Sequence, residues 1–293
     1  MHRLPAPLAA AASLLAGAAL AACQHPPQAI AAVAVAAGHE DGASAYTISP
    51  DGAWALLDGG SGTTLVNLAT GHIDTTVSAG ADLAVLRTRV GPADTAWSAL
   101  EPPPPAVPAG ATWRRSPDGH RLAFFRPGQD TVFVGPADTL QAYALDGAVT
   151  GAGWVPRGDL LYVLVLHPDG LSALDRINLE TGAVQPMRQQ LDAPPRGNTV
   201  AVSADAGTLY LAFLSGTVAA PGERQERQEG QEGQRAGADR DTDIYALDLR
   251  SGRLQRVAGT PGEDVGPVVV GQALYWTQSD PAGHRKVLWR LPL

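Results

Sequence analysis

Short apolar segments that follow a polar turn recur along this chain. The turn Ser49-Pro50-Asp51-Gly52 is repeated unchanged at 116–119, and altered copies occupy 155–158 and 203–207. Serine at the first position can bond to the backbone, proline presets φ and glycine is favoured at the fourth position, which together indicate a type I turn. The apolar segments after the turns, which we predict to be strands, are 54–57, 122–125, 160–163 and 209–213.

A second turn follows in fixed order. Leu68-Ala69-Thr70-Gly71 resembles the segments at 145–147, 179–182 and 249–252, and each comes after an apolar strand. Around the first pair of turns, the pattern predicts a four-stranded antiparallel meander. Repeated four-stranded units of about 40 residues are typical of a β-propeller, in which each unit forms one blade.

The number of repeated units along the chain predicts the number of blades. They begin near residues 43, 111, 150 and 198, with a partial unit near 265, and a degenerate unit is expected between 78 and 108. We therefore predict an all-β propeller of four-stranded antiparallel blades, with six blades favoured and five as the alternative. The last unit ends after its third strand, so we expect residues 29–37 to supply the fourth. Such an N-terminal closing strand leaves no open sheet edge.

The N-terminus predicts a destination in the cell envelope. Residues 1–22 have the Ala/Leu-rich segment of a signal peptide, and they end in Leu20-Ala21-Ala22 before Cys23, the one cysteine of the chain. This ending resembles the lipobox of bacterial lipoproteins. The resemblance implies that Cys23 carries acyl chains that hold the protein on the membrane. Gln24 follows where the inner-membrane signal of that family has aspartate, which favours the outer membrane, facing the periplasm. An uncleaved anchor and plain secretion are the alternatives.

The domain organisation follows from these two signals. Residues 23–28 form a short lipidated tether, and residues 29–293 form a single propeller domain. The segment 221–241 is an insertion rich in Glu, Gln, Arg and Gly, which we predict to be disordered because it lacks large apolar residues. The order of turns and strands over 43–293 resembles the TolB-like, WD-repeat-related propellers of bacterial envelopes. That resemblance implies a binding or assembly module with a protein or peptidoglycan-associated partner.

The charge and the residue motifs of the chain argue against several classes of function. The chain has a net charge of −8 and shows no basic stripe, which argues against nucleic acid as a partner. Asp241 and Asp243 offer too few oxygens for calcium, which takes 6–8. Ser279, Asp280 and His284 have the residue types of a hydrolase triad, but their spacing within one loop does not make them converge. We predict no catalytic residue, no metal site and no cofactor.

One face of the predicted propeller collects the longer loops, where binding residues are frequently found. The candidate binding face consists of His39, Glu40, Asp41, Asp58, Glu263 and Asp264. The alternative is a merely solvated rim. The sequence thus favours an envelope lipoprotein that serves as a binding or scaffold module. The second hypothesis is a small lactonase-like hydrolase at the mouth of the channel, which needs inward carboxylates or histidines from several blades.

Overall fold

The computed structural model describes residues 26–34, 46–49, 52–58, 62–78, 104–191, 200–214, 242–259, 262–279 and 285–293. Within these ranges the regular structure is entirely β-strand, without a helix. The strands are β1 (Gln28–Ala34), β2 (Tyr46–Ile48), β3 (Trp54–Asp58), β4 (Gly62–Asn67), β5 (Ile73–Ser78), β6 (Thr112–Arg115), β7 (Leu122–Phe125), β8 (Thr131–Gly135), β9 (Gln141–Ala144), β10 (Ala148–Trp154), β11 (Leu160–Leu166), β12 (Ser172–Asn178), β13 (Val184–Leu191), β14 (Ala201–Val202), β15 (Thr208–Leu214), β16 (Thr242–Asp248), β17 (Leu254–Ala258), β18 (Glu263–Val270), β19 (Ala273–Ser279) and β20 (Arg285–Pro292).

The strands form four-stranded antiparallel units in chain order. Three separate sheets consist of β2–β5, β6–β9 and β10–β13. A larger sheet contains two further units, β14–β17 and β18–β20 with β1, which are joined by one parallel pair between Thr242 and Glu263. The predicted all-β class and its four-stranded antiparallel units are confirmed.

The N-terminal strand pairs with the C-terminal strand. β1 runs antiparallel to β20, with Ala32 opposite Val287 and Gln28 opposite Arg290. β1 is therefore the fourth strand of the last unit, as the sequence predicted, although it begins at Gln28. Of the predicted range 29–37, residues 35–37 lie outside the described residues.

The first repeated turn is stabilised by the hydrogen bonds of a buried serine. In the intact copy, Gly119 N donates to Ser116 O at 2.9 Å, the bond expected of the predicted turn. Ser116 Oγ also accepts from Arg121 N at 2.9 Å and donates to Asp118 Oδ1 at 2.5 Å. The altered copy repeats this arrangement between Ser203 and Asp205. The serine thus satisfies a backbone amide that burial would otherwise leave without a partner.

The second repeated turn depends on a residue that the sequence analysis did not single out. The residues before the leucine, Asn67, Asn178 and Asp248, each accept two backbone N–H bonds on one side-chain oxygen. Leu68 N also donates to Ala53 O at 2.9 Å, so both kinds of turn lie at one end of the sheets, which we call the turn end. The inclusion of 145–147 among these turns was wrong. This segment joins β9 to β10, and it lies at the opposite end, the loop end.

The units pack face to face in series. One apolar cluster joins β6–β9 to β10–β13, the next joins β10–β13 to β14–β17, and two more connect onward through β18–β20 to β2–β5. Backbones approach closely at two of these contacts. A Cβ at Gly153 would overlap the carbonyl oxygen of Val200, and one at Gly71 would overlap that of Ile30 in β1. The absence of a side chain at these positions therefore permits the contact between neighbouring units.

The role of the buried serine predicts the effect of Ser116→Ala. Ser116 is 2% exposed, and its removal leaves a backbone amide without its side-chain acceptor. We expect a loss of about 1–3 kcal/mol in the free energy of unfolding, measured by urea denaturation. The control is Ser251→Ala, which removes an exposed hydroxyl that also bonds an aspartate, Asp248. Equal small losses in both variants would contradict the role assigned to the buried turn serine.

Candidate functional site

The predicted binding face is only partly within the described residues. His39, Glu40 and Asp41 lie outside them, and Asp58 is described only as the backbone end of β3. Cys23 and the insertion at 221–241 also lie outside, so the predictions for them remain predictions. The two residues of the face that can be placed are Glu263 and Asp264, at the start of β18.

Glu263 and Asp264 have different roles although they are adjacent. Glu263 is exposed at the loop end, whereas Asp264 is 0% exposed. Trp276 Nε1 donates to Asp264 Oδ1 at 3.1 Å. Successive side chains of a strand point to opposite faces, so only one of two neighbours can face the solvent here. Asp264 stabilises the sheet beneath the loop end, and Glu263 alone reaches its surface.

An ion pair with one buried partner lies near the same end. Arg256 Nη2 donates to Asp243 Oδ1 at 2.9 Å, and the side chain of Asp243 is 1% exposed whereas that of Arg256 is 53% exposed. Asp243 Oδ2 accepts no hydrogen bond within the described part of the chain. A Cβ at Gly259 would overlap the guanidinium, so this glycine provides the room in which the arginine lies. From the sequence, Asp243 was considered only as a metal ligand, and neither Arg256 nor Gly259 was predicted to be near it.

A third buried carboxylate lies between the units β6–β9 and β10–β13. Asp175 in β12 is 7% exposed, and no described residue donates a hydrogen bond to it. Desolvation raises the pKa of Asp175; His167 opposes this rise and Asp146 adds to it. Asp146 and His167 belong to two different loops of the loop end. A carboxylate that is buried without a hydrogen-bond donor reduces stability, and such groups are enriched at functional sites.

The two ends of the sheets therefore differ in how their carboxylates are used. At the turn end, hydrogen bonds from the turn lower the pKa of Asp118, Asp205 and Asp248. Near the loop end, Asp175 accepts no hydrogen bond from the described residues and Asp243 retains one oxygen without a donor. Buried polar atoms without a partner are rare in folded proteins, and carboxylates with a perturbed pKa are enriched at functional sites, whereas the turn-end carboxylates serve their own turns. The candidate site is the loop end.

No group of three His, Cys, Asp or Glu side chains in the described ranges is arranged to hold a metal ion. In the same ranges, no helix has the length and apolar character needed to cross a membrane.

Comparisons with known proteins yield resemblances among solved structures. No family model matches the chain, and no curated protein matches it. TolB from Acinetobacter baumannii is 14% identical with a TM-score of 0.36, over 85% of this chain and 55% of that protein. The β-propeller domain of Cps50 (Swd1) from Myceliophteria thermophila is 13% identical with a TM-score of 0.45, over 86% of this chain and 84% of that domain. At these identities the resemblances carry no information about function.

The buried Asp175 predicts a dependence of stability on pH. Because its folded-state pKa lies above the ordinary value of 3.8, the folded chain holds the proton more tightly than the unfolded chain. The contribution of Asp175 to the free energy of unfolding is therefore independent of pH below pH 3.8. It decreases as the pH rises from there through the folded-state pKa. Asp175→Asn should remove this fall and stabilise the protein at neutral pH relative to the wild type.

The measurement is urea unfolding of both proteins at acidic and at neutral pH. Asp138→Asn serves as the control, because Asp138 is exposed at the turn end and bonds only the neighbouring Thr139 hydroxyl. A neutral-pH stability that falls in Asp175→Asn, with the control unchanged, would show that the ionised carboxylate is stabilised by its surroundings.

Proposed function

We propose that this chain is an envelope lipoprotein whose β-propeller is a binding or scaffold module, with a protein or peptidoglycan-associated partner on the loop end. The observation that supports the proposal most directly is the contrast between the two ends of the sheets. Carboxylates of the turn end accept hydrogen bonds from their own turns, whereas buried Asp175 and one oxygen of buried Asp243, near the loop end, have no donor within the described residues. Exposed Glu263 lies at the same end.

We propose a ring of six blades for the module. The five described units pack in series, so the series has two outer faces. Leu56 and Leu65 are buried on the face of β2–β5 that does not take part in the described cluster with β18–β20. Phe124 and Phe133 stack at 4.9 Å on the outer face of β6–β9. The chain between these two units includes residues 79–103, which we propose to fill the remaining space as the sixth blade.

The anchor and the body are connected over a very short distance. β1 begins at Gln28, only a few residues after Cys23, and it is hydrogen-bonded to β20. Acyl chains on Cys23 would therefore hold the whole body close to the membrane surface, since the intervening residues are few and include two prolines. We propose the outer membrane, with the body in the periplasm, because Gln24 follows the cysteine.

The anchor is tested by Cys23→Ser. Replacing the thiol removes the site of acylation, so the variant should leave the membrane fraction for the soluble fraction. Mass spectrometry of the wild-type N-terminal peptide should show the added mass of the acyl chains. Unchanged membrane retention together with an unmodified peptide mass would contradict the lipoprotein assignment.

The binding end is tested by site-specific photo-crosslinking in native membranes. A photoreactive residue replaces Glu263, which is exposed at the loop end, or Arg157, which is exposed at the turn end. We expect a discrete crosslinked product from position 263 and none from position 157. Equal products at both positions, or a product at 157 alone, would contradict the assignment of the loop end as the binding face.

A further inference from the structure

β17 is an edge strand with outward-facing backbone groups. Among the described strands it pairs only with β16. Asp248 N donates to Arg253 O at 2.9 Å, and antiparallel strands alternate between bonded and non-bonded pairs. The N–H and C=O groups of Leu254 and Arg256 are therefore directed away from β16, toward the open edge. Such an edge is a template on which another extended segment can pair.

The same strand carries positive charge on a chain whose net charge is −8. Arg250, Arg253 and Arg256 are exposed along β17 and the turn before it. The side chains of Arg250 and Arg253 make no hydrogen bond to described residues, whereas the nearby Asp248 is bonded within its own turn. The outer strand β9 differs, since Asp138 and Asp146 flank it.

The position of Arg256 is fixed before any ligand arrives. Its guanidinium is held by one bond to buried Asp243 and occupies the space beside Gly259. A guanidinium has five N–H donors, and only one of them is used within the described residues. Because the side chain is already ordered, less conformational entropy is lost when it binds a carboxylate.

We propose that β17 binds an acidic, extended segment of a partner protein as an added strand. Backbone pairing at Leu254 and Arg256 supplies the affinity, and the three arginines select a segment with carboxylates. Arg253 and Arg256 lie on opposite faces of the sheet because they are separated by three positions. They can therefore contact acidic side chains on both faces of the added strand. This surface is the outer edge of the unit β14–β17. It shares the pair between Arg256 and Asp243 with the loop end, but strand addition along β17 does not depend on the function proposed for that end.

The experiment uses the full chain in detergent and a synthetic peptide in which pairs of glutamates alternate with pairs of valines, because such a strand carries carboxylates on both of its faces. The same peptide with glutamine in place of glutamate is the probe control. We expect the acidic peptide to bind with an affinity that falls as salt is added, and the glutamine peptide to bind more weakly. On binding, hydrogen exchange should slow at the amides of Leu254 and Arg256.

Matched variants separate the charge at β17 from the charge of the whole protein. R250Q/R253Q should weaken binding of the acidic peptide by about three- to tenfold, since it removes two exposed ion pairs. R126Q/R157Q removes the same charge from exposed sites elsewhere and should leave binding unchanged. The first variant keeps the pair between Arg256 and Asp243, so the fold at the strand is retained.

Three outcomes would overturn the proposal. They are equal binding of the acidic peptide by both double variants, absence of slowed exchange in β17 when the peptide is bound, and retention on anionic phospholipid vesicles without any binding of the peptide. The last outcome would identify the arginines as a lipid-facing patch.

Discussion

The pairing of the N-terminal strand β1 with β20 is the interaction on which the rest of this structure depends. A terminal strand presents a row of N–H and C=O groups that need partners, and burial without partners is costly. The last unit would end in such an edge at β20 if β1 did not pair with it along Gln28–Ala34. The close approach of Gly71 to Ile30 then ties β1 to the first unit as well. The first and last parts of the domain are thus held by one strand.

Much of the fold could be predicted because its turns and strands leave local patterns in the sequence. The serine turns were predictable because a side chain that bonds its own backbone leaves a local sequence pattern, as at Ser116 and Ser203. The pairing of β1 with β20 was predictable because the C-terminal unit lacked its fourth strand, whereas the N-terminus contained an apolar segment without a partner in the first unit. The role of Asn67 was missed, although its equivalents precede each leucine of the second repeated turn.

The candidate site was much less predictable, because its contacts join residues that are distant in the chain. Nothing near Asp243 in the sequence indicates that Arg256 will bond to it, or that Gly259 will make the room. Asp175 was overlooked because its burial depends on a neighbouring unit. Asp264 was expected on the surface with Glu263, yet strand alternation places it inside against Trp276. Local patterns therefore specify the scaffold, whereas the charged groups that suggest function depend on tertiary packing.

β1 is part of the folded body and completes the last unit by pairing with β20. Native-state hydrogen exchange of the full chain tests this pairing most directly. The account predicts that the hydrogen-bonded amides of Gln28–Ala34 exchange with a free energy close to that of β19 and β20, because their exposure requires opening of the same sheet. Exchange of these amides at the rate of an unstructured peptide, while β19 stays protected, would contradict the account and make β1 only a tether.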